Sequence, residues 1–561
     1  MTKTQRSGLA RRSLAGVLAL SAAVAMTTAC APAGGSEGKS ATTALSLVAE
    51  PPGGMTRTFN PFSPTARWAA KSAMYEPLMI ANPATGKDEP WLATDATWDA
   101  AGTALTVTLR DDVTWSDGEP FTASDVAFTF QLMIDNEGLV GPADEVLARL
   151  TSVEATDDST VVLTFGEPFA PARDAVLAQF IVPEHTWSDV ADPTTFPDEN
   201  PVATGPYTVI ENFSAQMYTL GRNPNYWQKL EVPALSLRSY SGNDQISAEV
   251  AAGNIDWGGL VPDPDKTFVP RDPEHNHYWW PQTRSVSLQV NTTKGALGDA
   301  GVRRALSMAV DRERIIDQAV WGKSDPANAT ALPEGGFSTW LDADVVDEYS
   351  DAVTLDVDAA AALLDDLGYA EDSDGVRHAP DGTALEYSIV IPTGWSDWIT
   401  AAQVVAQDLT AVGVKVELQT IAYDSWADEV YNGEFDMTLY GMPSSPNPYS
   451  FYLGAMSQET LAPIGTQSVV NAHRFADPEA TQLLQDYTAI TDPDAQVAAM
   501  AGIEARFAEL LPLIPLYNAP DFGLYTTTRF DGFPNEDDPY APLSLQLPQK
   551  SLLVFPHLRT V

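Results

Sequence analysis

Three short patterns in the sequence carry residue types that could do catalytic or metal chemistry. Residues 34–38 read Gly-Gly-Ser-Glu-Gly and match the Gly-x-Ser-x-Gly elbow of serine hydrolases, but that elbow needs a preceding strand and a following helix, whereas this one lies in a small polar stretch. His275-Asn276-His277 could suggest a metal or nuclease site, yet no spaced set of carboxylates accompanies it. Residues 372–375, Asp-Ser-Asp-Gly, are similar to part of an EF-hand calcium loop. In that register the first ligand position would be Ala370 and the twelfth Asp381 instead of glutamate, so the pattern does not fit an EF-hand. The sequence therefore predicts no catalytic residue, no metal site and no cofactor.

A fourth pattern favours binding. Residues 393–398 read Thr-Gly-Trp-Ser-Asp-Trp and follow the predicted strand 385–391, so Trp395, Asp397 and Trp398 lie beside one another in a predicted loop. A sugar ring offers an apolar C–H face and a rim of hydroxyls, which tryptophan faces and small polar groups match without a net charge. Further candidates for ligand contact on predicted loops are Tyr440, Asn447, Trp68, Asn243, Trp257 and Trp280. Core packing is the alternative for each aromatic residue.

The N-terminal region carries a targeting pattern that ends at Cys30, the single cysteine of 561 residues. An apolar run at 13–26 follows a basic start, and it is too short to span a bilayer comfortably. The pattern is similar to a bacterial lipoprotein signal, with Thr27 in place of the usual leucine, and it predicts a signal peptide at 1–29, acylation of Cys30 and a flexible tether at 30–43. The alternative is an ordinary secretory peptide. Both interpretations predict export, and Arg11-Arg12 leaves open the Sec or the twin-arginine route.

Composition bounds the partners and the fold. With 76 acidic and 31 basic residues the formal charge is −45, which would repel nucleic acid and anionic lipid headgroups. The chain is 44% hydrophobic and long enough for two or three domains. With Cys30 used at the anchor, no disulfide is expected.

Predicted strands and helices alternate along the chain, which indicates an α/β fold. Residues 105–110 alternate with period two as a half-buried strand, and Ser124-Asp125 is an N-cap signal before a helix at 126–134. Further predicted elements are helices at 299–320, 358–367 and 398–412 and a strand at 414–418. No long linker divides the chain, so its domains are expected to be lobes built from discontinuous segments.

An ordered set of motifs carries a family resemblance. Residues 90–130 read PWLATDATWDAAGTALTVTLRDDVTWSDGEPFTASDVAFTF. Further motifs in the same order are Thr204-Gly205-Pro206-Tyr207, residues 223–227, residues 253–256, residues 433–437 and residues 511–517. Together they resemble the family 5 extracellular solute-binding proteins, which are the peptide, nickel and oligosaccharide receptors of ABC importers.

The resemblance implies an architecture and a role. The implied fold is α/β and two-lobed, like the periplasmic binding proteins, with an extra subdomain in the first lobe and the ligand cleft between lobes. The implied division assigns 44–80, 204–295 and 515–561 to the core of lobe 1, 81–203 to its inserted subdomain, and 296–514 to lobe 2. The implied role is that of a monomeric, non-enzymatic receptor that closes on its ligand and delivers it to ABC permease subunits at the outer face of the cytoplasmic membrane. A purely structural or adhesive surface protein remains the alternative class.

Two segments bear on the ligand. Peptide receptors of the family carry Trp-x-x-Asp-Tyr-x-x-Pro, whose aspartate pairs with the peptide ammonium, but here Met442 and Ser445 stand at the tryptophan and aspartate positions. The loop 393–398 and Asn447-Pro448-Tyr449 resemble the cello-oligosaccharide branch instead. The sequence therefore predicts a lipid-anchored oligosaccharide receptor, with an oligopeptide as the alternative ligand. Nickel would need convergent ligands, and none is identified.

Overall fold

A computed structural model describes residues 44–50, 54–136, 138–443, 445 and 447–561, with the backbone alone at 144, 145 and 424. Cys30, the predicted signal peptide and tether, and the Gly-x-Ser-x-Gly match at 34–38 lie outside the described residues. Among the described helices, none combines the length and the apolar composition that crossing a membrane requires.

The first lobe is built on a seven-stranded sheet. Leu45–Leu47 lies at its middle and pairs in parallel with Ala234–Arg238 on one side and with Trp257 on the other. In spatial order the strands are Asn276–Tyr278, Leu524–Thr526, Trp257–Gly258, Leu45–Leu47, Ala234–Arg238, Met217–Gly221 and Val209–Phe213. The segments that form this sheet are far apart in the chain, so the first lobe is built from discontinuous segments.

An inserted four-stranded antiparallel sheet shares the apolar core of the first lobe. Its strands, in spatial order, are Ala93–Trp98, Ala104–Leu109, Thr160–Phe165 and Leu150–Asp157. The helix Ala123–Asp135 packs on this sheet. Its N-cap is Thr122, and Asp125 is the third helical residue that completes the capping box, so the helix begins earlier than the Ser124-Asp125 signal predicted.

The second lobe is built on a five-stranded sheet with an apolar core of its own. Its strands, in spatial order, are Lys415–Ile421, Glu386–Pro392, Met437–Gly441, Gln282–Val290 and Leu513–Pro520. The helices associated with it are Ala300–Ala309, Arg312–Ala319, Val357–Asp366, Ser396–Ala411 and Tyr423–Tyr431. The predicted single helix 299–320 is divided, because Asp311 leaves helical geometry and its carboxylate accepts the N–H of Arg314 as an N-cap.

The remaining elements connect and cover these sheets. The remaining α-helices are Asp144–Leu147, Ala172–Leu177, Glu184–Trp187, Asn243–Ala251, Pro264–Thr267, Glu334–Phe337, Ala343–Glu348, Tyr449–Met456, Pro478–Thr488, Pro493–Leu510 and Lys550–Val554. Three two-stranded ribbons pair Met79–Asn82 with Lys87–Pro90, Ala370–Glu371 with Arg377–His378, and Phe530–Asp531 with Arg559–Thr560. Short π and 3₁₀ turns are Ala70–Met74, Val269–Arg271, Gly295–Gly298, Ser350–Ala352, Gln458–Thr460 and Phe555–His557.

The chain crosses between the two large sheets at 279–281 and again at 521–523. The crossings lie side by side, since the N–H of Trp279 donates to the carbonyl of Gly523 at 3.0 Å and that of Asp521 to the carbonyl of Pro281 at 2.8 Å. The predicted lobe boundaries near 295 and 515 do not coincide with these crossings. The strands at 282–290 and 513–520 pair with each other in the five-stranded sheet, and the order of sequence motifs carries no information about that pairing. We therefore propose lobe boundaries at the two crossings.

Candidate functional site

The loop 393–398 joins a strand of the second lobe to the helix Ser396–Ala411. Glu386–Pro392 ends at the carboxyl edge of the sheet, Gly394 turns the chain at φ +92°, and the helix Ser396–Ala411 begins directly afterwards. Trp395 is the N-cap residue, so the predicted helix start at 398 is two residues late. This short turn places Trp395, Asp397 and Trp398 together at the end of the sheet.

The two predicted tryptophans belong to a larger aromatic cluster. The rings of Trp395 and Trp398 meet edge to face with centroids 4.9 Å apart, and the ring of Trp426 lies 5.9 Å from that of Trp395. The indole N–H of Trp426 donates to Thr438 Oγ1 at 2.9 Å, which fixes that ring, whereas the indole N–H groups of Trp395 and Trp398 bond no other described residue. Trp395 and Trp398 are half-buried, so both can offer a ring face and a donor to a ligand.

These rings line a cavity of about 610 Å³ at the junction of the two lobes. The second lobe contributes its aromatic wall, which consists of Trp395, Trp398, Trp426, Tyr431, Tyr440 and Tyr517. Asn243, Leu260 and Gln546 line it from the first lobe, and Phe522 lines it from one of the crossings. We call this space the aromatic cavity. Relative movement of the lobes would open or close it.

The charges in the aromatic cavity are mostly neutralised. Arg284 donates from Nε and Nη2 to the Oδ1 atom of the fully buried Asp521, at 3.0 and 2.8 Å, and the Thr283 hydroxyl donates to the other carboxylate oxygen. Asp397 forms no ion pair with the described side chains, and burial raises the pKa of its carboxyl. Burial and, secondarily, the Asp397 carboxylate raise the pKa of Tyr517. The cavity therefore presents one carboxylate that a ligand could use.

A neutral histidine supports the floor of this cavity. Burial lowers the pKa of His473 to about 4, so its imidazole is uncharged near neutrality. The Nε2–H group donates to the carbonyl of Ala455 at 2.9 Å, which leaves Nδ1 to accept from Gln289 Nε2 at 3.4 Å. Gln289 lines the cavity, and this bond fixes its amide orientation.

The structure brings five of the nine predicted ligand residues into the aromatic cavity, namely Trp395, Asp397, Trp398, Tyr440 and Asn243. Four others lie elsewhere, and two of these use the indole N–H in the first lobe: Trp68 donates to the carbonyl of Leu545 and Trp257 to that of Leu543, each at 2.8 Å. Trp257 is fully buried, so it packs the core instead of facing the cavity. Trp280 is 7% exposed and meets Phe522 edge to face at 5.0 Å, which makes it a support for the cavity wall. Asn447 donates to Asp174 outside the cavity.

Sequence reasoning missed several lining residues, including Trp426, Tyr431, Arg284 and Gln289. A usable signal existed for Trp426. The strands Glu386–Pro392 and Lys415–Ile421 are parallel neighbours, each followed by a helix, so the residues after them meet at one edge of the sheet. No comparable local signal marks Arg284 or Gln289, which lie inside a strand paired on both sides.

Residues 88–461 match the family described as bacterial extracellular solute-binding proteins, family 5. The chain belongs to this family. Protein XP55 of Streptomyces lividans is 28% identical over 453 residues, which cover 79% of each chain. The nickel-binding periplasmic protein of Escherichia coli is 25% identical, with 85% of this chain and 89% of that protein covered.

The fold of this family 5 protein is that of its solved relatives. The crystal structure of a periplasmic oligopeptide-binding protein of Thermotoga maritima is 25% identical, with a TM-score of 0.84 over 93% of this chain and 100% of that one. The same Thermotoga protein with mannohexaose bound gives a TM-score of 0.80, covering 93% and 99% of the two chains. The predicted family and the predicted two-lobed α/β fold are confirmed. Within the described residues no group of three or more histidine, cysteine, aspartate or glutamate side chains could hold a metal ion.

Proposed function

We propose that this family 5 solute-binding protein captures an oligosaccharide in the aromatic cavity by closure of its lobes and delivers it to the permease of an ABC importer. The observation that supports the sugar is the wall itself, in which three tryptophans and three tyrosines face one space together with three amides and a carboxylate. Aromatic faces bind the C–H faces of pyranose rings, and amide and carboxylate groups bind the hydroxyl rim.

The dimensions and placement of the cavity agree with this role. Its volume of about 610 Å³ lies within the range of roughly 300 to 1,000 Å³ typical of small-molecule sites. Because both lobes and a crossing segment line it, closure would surround the ligand and remove water from it. The mannohexaose complex of the Thermotoga maritima protein supports a sugar as a ligand for this architecture.

An oligopeptide is the second candidate ligand, and Asp397 is the observation that favours it. A half-buried carboxylate without an ion-pair partner among the described residues could pair with a peptide ammonium, since a desolvated cation needs a counterion. The family's peptide receptors carry an aspartate at the position of Ser445, and a serine supplies no such charge.

Titration calorimetry with cellobiose, cellotetraose, mannohexaose and trialanine tests the proposal. We expect a sugar to bind and the Trp395→Ala variant to weaken that binding about 30-fold, since a central aromatic anchor contributes roughly 2 kcal/mol. The matched control is Trp98→Ala, which removes a half-buried tryptophan in the inserted subdomain. Peptide binding without any sugar response, or unchanged sugar affinity in Trp395→Ala, would overturn the proposal.

We further propose that Cys30 is acylated and tethers the receptor beside its permease. A short polar tether at 30–43 would raise the local receptor concentration while leaving the lobes free to move. Replacing Cys30 with alanine should release the protein into the medium or leave its precursor uncleaved. Detergent partitioning of cell fractions measures this, and an unchanged membrane-bound mature form in the variant would contradict it.

A further inference from the structure

A second cavity, of about 250 Å³, lies next to the aromatic cavity. Pro443 and Gln546 line the aromatic cavity, whereas Ser445 and Leu547 line the second one, so the same two chain segments border both. Its other walls come from the ribbon formed by Met79–Asn82 and Lys87–Pro90 and from the helix Ala172–Leu177. We call it the lysine cavity, after Lys550, which lines it.

Lys550 is a buried cation that forms no salt bridge within the described residues and is attracted only by the more distant Asp88. Its residue is 8% exposed, and its Nζ atom has no hydrogen bond or ion pair with any described residue. The Nζ atom is not sealed in the protein, since it keeps some contact with solvent. Desolvating an unpaired ammonium is costly, and burial lowers the pKa of Lys550 to about 8. The ammonium of Lys550 is therefore available to an anionic group of a ligand.

The walls around Lys550 are largely apolar. Met79, Ala81, Pro142, Leu177 and Leu547 line the cavity, which limits the number of water molecules that can solvate the ammonium. The neighbouring amide of Gln549 is already engaged, since its Nε2 donates to the carbonyl of Ala178 at 2.6 Å. An anion entering this space would meet a cation in surroundings of low polarity, where an ion pair is stronger than in water.

The two carboxylates of the lysine cavity have a different partner. Asp88 accepts from Arg173 Nη1 at 2.5 Å, and Asp174 lies 3.5 Å from the same nitrogen and also accepts from Asn447. Lys87 is exposed at the rim of the cavity. Three cations therefore face two carboxylates, and one ligand carboxylate would balance the charges.

We propose that the lysine cavity is an anion subsite, in which Lys550 binds a carboxylate carried by the solute while the remainder of that solute occupies the aromatic cavity. The carboxylate could belong to a uronic acid residue or to the C-terminus of a peptide. The inference rests on the proposed function only in taking the two cavities as one solute site.

The experiment is titration calorimetry of the purified protein with two matched pairs of probes. Cellobiose is paired with cellobiouronic acid, and trialanine with its C-terminal amide. We expect the acidic member of one pair to bind about 10- to 100-fold more tightly than its neutral counterpart, as for a hydrogen bond to a charged group. The Lys550→Met variant should lose this preference, and Lys550→Arg should retain it. Lys229→Met, which removes an equal charge from a side chain that is 82% exposed, should leave the preference unchanged.

Every outcome decides between the alternatives. A preference within the sugar pair identifies a uronic acid. A preference within the peptide pair alone supports the subsite, and it overturns the sugar proposal when neither sugar binds. Equal affinities within both pairs would overturn the subsite while neutral cellobiose binding still supports the sugar proposal. A preference that persists in a folded Lys550→Met variant, checked by circular dichroism, would also overturn the subsite, and failure of all four probes at millimolar concentration would overturn both proposals.

Discussion

The aromatic cavity and the lysine cavity lie side by side, yet they handle charge in opposite ways. In the aromatic cavity the cation Arg284 is held by the buried Asp521, and a carboxylate, Asp397, is left without an ion pair among the described residues. In the lysine cavity both carboxylates are bonded to other side chains, and the cation Lys550 forms no hydrogen bond or salt bridge with a described residue. A solute that spans both would meet an aromatic surface at one end and an unpaired ammonium at the other.

The two cavities also differ in how their supporting groups titrate. His473 behind the aromatic cavity has a pKa lowered to about 4 by burial, whereas Asp174 in the lysine cavity has a pKa raised to about 6, mainly by burial and further by Asp88. A depressed histidine contributes stability that is lost as the pH falls, and a raised aspartate contributes stability that is lost as the pH rises. The pH dependence of stability therefore distinguishes the two cavities when variants of each are measured separately.

The largest expected effect is at His473. Its unfolded pKa is near 6.5 and its folded pKa about 4, so its contribution is complete above pH 6.5 and declines as the pH falls towards 4. The fall amounts to about 3 kcal/mol of unfolding free energy. In His473→Gln, whose amide can keep both hydrogen bonds, this dependence should disappear. Urea unfolding of both proteins at several pH values measures it, with the exposed His185→Gln as control, and parallel curves for the wild type and His473→Gln would contradict it.

The second prediction concerns the ion pair of the aromatic cavity. Asp521→Ala leaves Arg284 without its counterion, and we expect a loss of about 2 kcal/mol of unfolding free energy, less than for a fully buried pair because Arg284 is 21% exposed. In the Asp521→Ala background, adding Lys550→Met should no longer abolish the preference for cellobiouronic acid, since Arg284 then offers a second unpaired cation. Asp351→Ala is the matched control, because it breaks an Arg–Asp pair in which the aspartate is 68% exposed. Equal losses of unfolding free energy in Asp521→Ala and Asp351→Ala would show that the buried ion pair stabilises the protein no more than the exposed one.

The third prediction tests Asp174 in the lysine cavity. Its folded pKa of about 6 exceeds its unfolded value of 3.8, so its contribution is complete below pH 3.8 and declines as the pH rises through 6. After allowance for its 22% exposed side chain, we expect Asp174→Asn to gain about 1.5 kcal/mol relative to the wild type between pH 4 and 7. Thermal unfolding across this range measures the gain, with the exposed Asp189→Asn as control. A loss of stability in Asp174→Asn over this pH range would show that the folded protein stabilises the ionised carboxylate of Asp174.

The smallest effect is expected for Lys550→Met without ligand. Replacing an unpaired buried ammonium with an apolar side chain of similar length should raise the unfolding free energy by about 1 kcal/mol at pH 7, since the desolvation cost is removed and only the attraction of Asp88 is lost. A shift in the thermal midpoint measures this, against Lys229→Met. A lower midpoint would mean that Lys550 supports the fold, and it would argue against an ammonium held ready for a solute.

Local patterns predicted much of the fold and part of the site. The turn at 393–398 was found because Gly394, two tryptophans and a polar pair stand together, and the helix at 358–367 was predicted within one residue of Val357–Asp366. The division of 299–320 into two helices was missed, because the apolar spacing continues across Asp311 while its side chain caps a new helix. The lobe boundaries differed because strand pairing joins segments such as 282–290 and 513–520, which are far apart in the chain.

The predicted export pattern ending at Cys30, the alternation of strands and helices and the ordered motifs of the family could each be recognised from neighbouring residues of the sequence. The tertiary structure was needed to show that Trp395 lines a cavity while Trp257 fills the core, and that Lys550, one of 31 basic residues, forms no hydrogen bond or salt bridge with a described residue. The physical reason is that burial and charge pairing depend on distant segments brought together by packing. Asp521 neutralises Arg284 from 237 positions away, and no local pattern records such a contact.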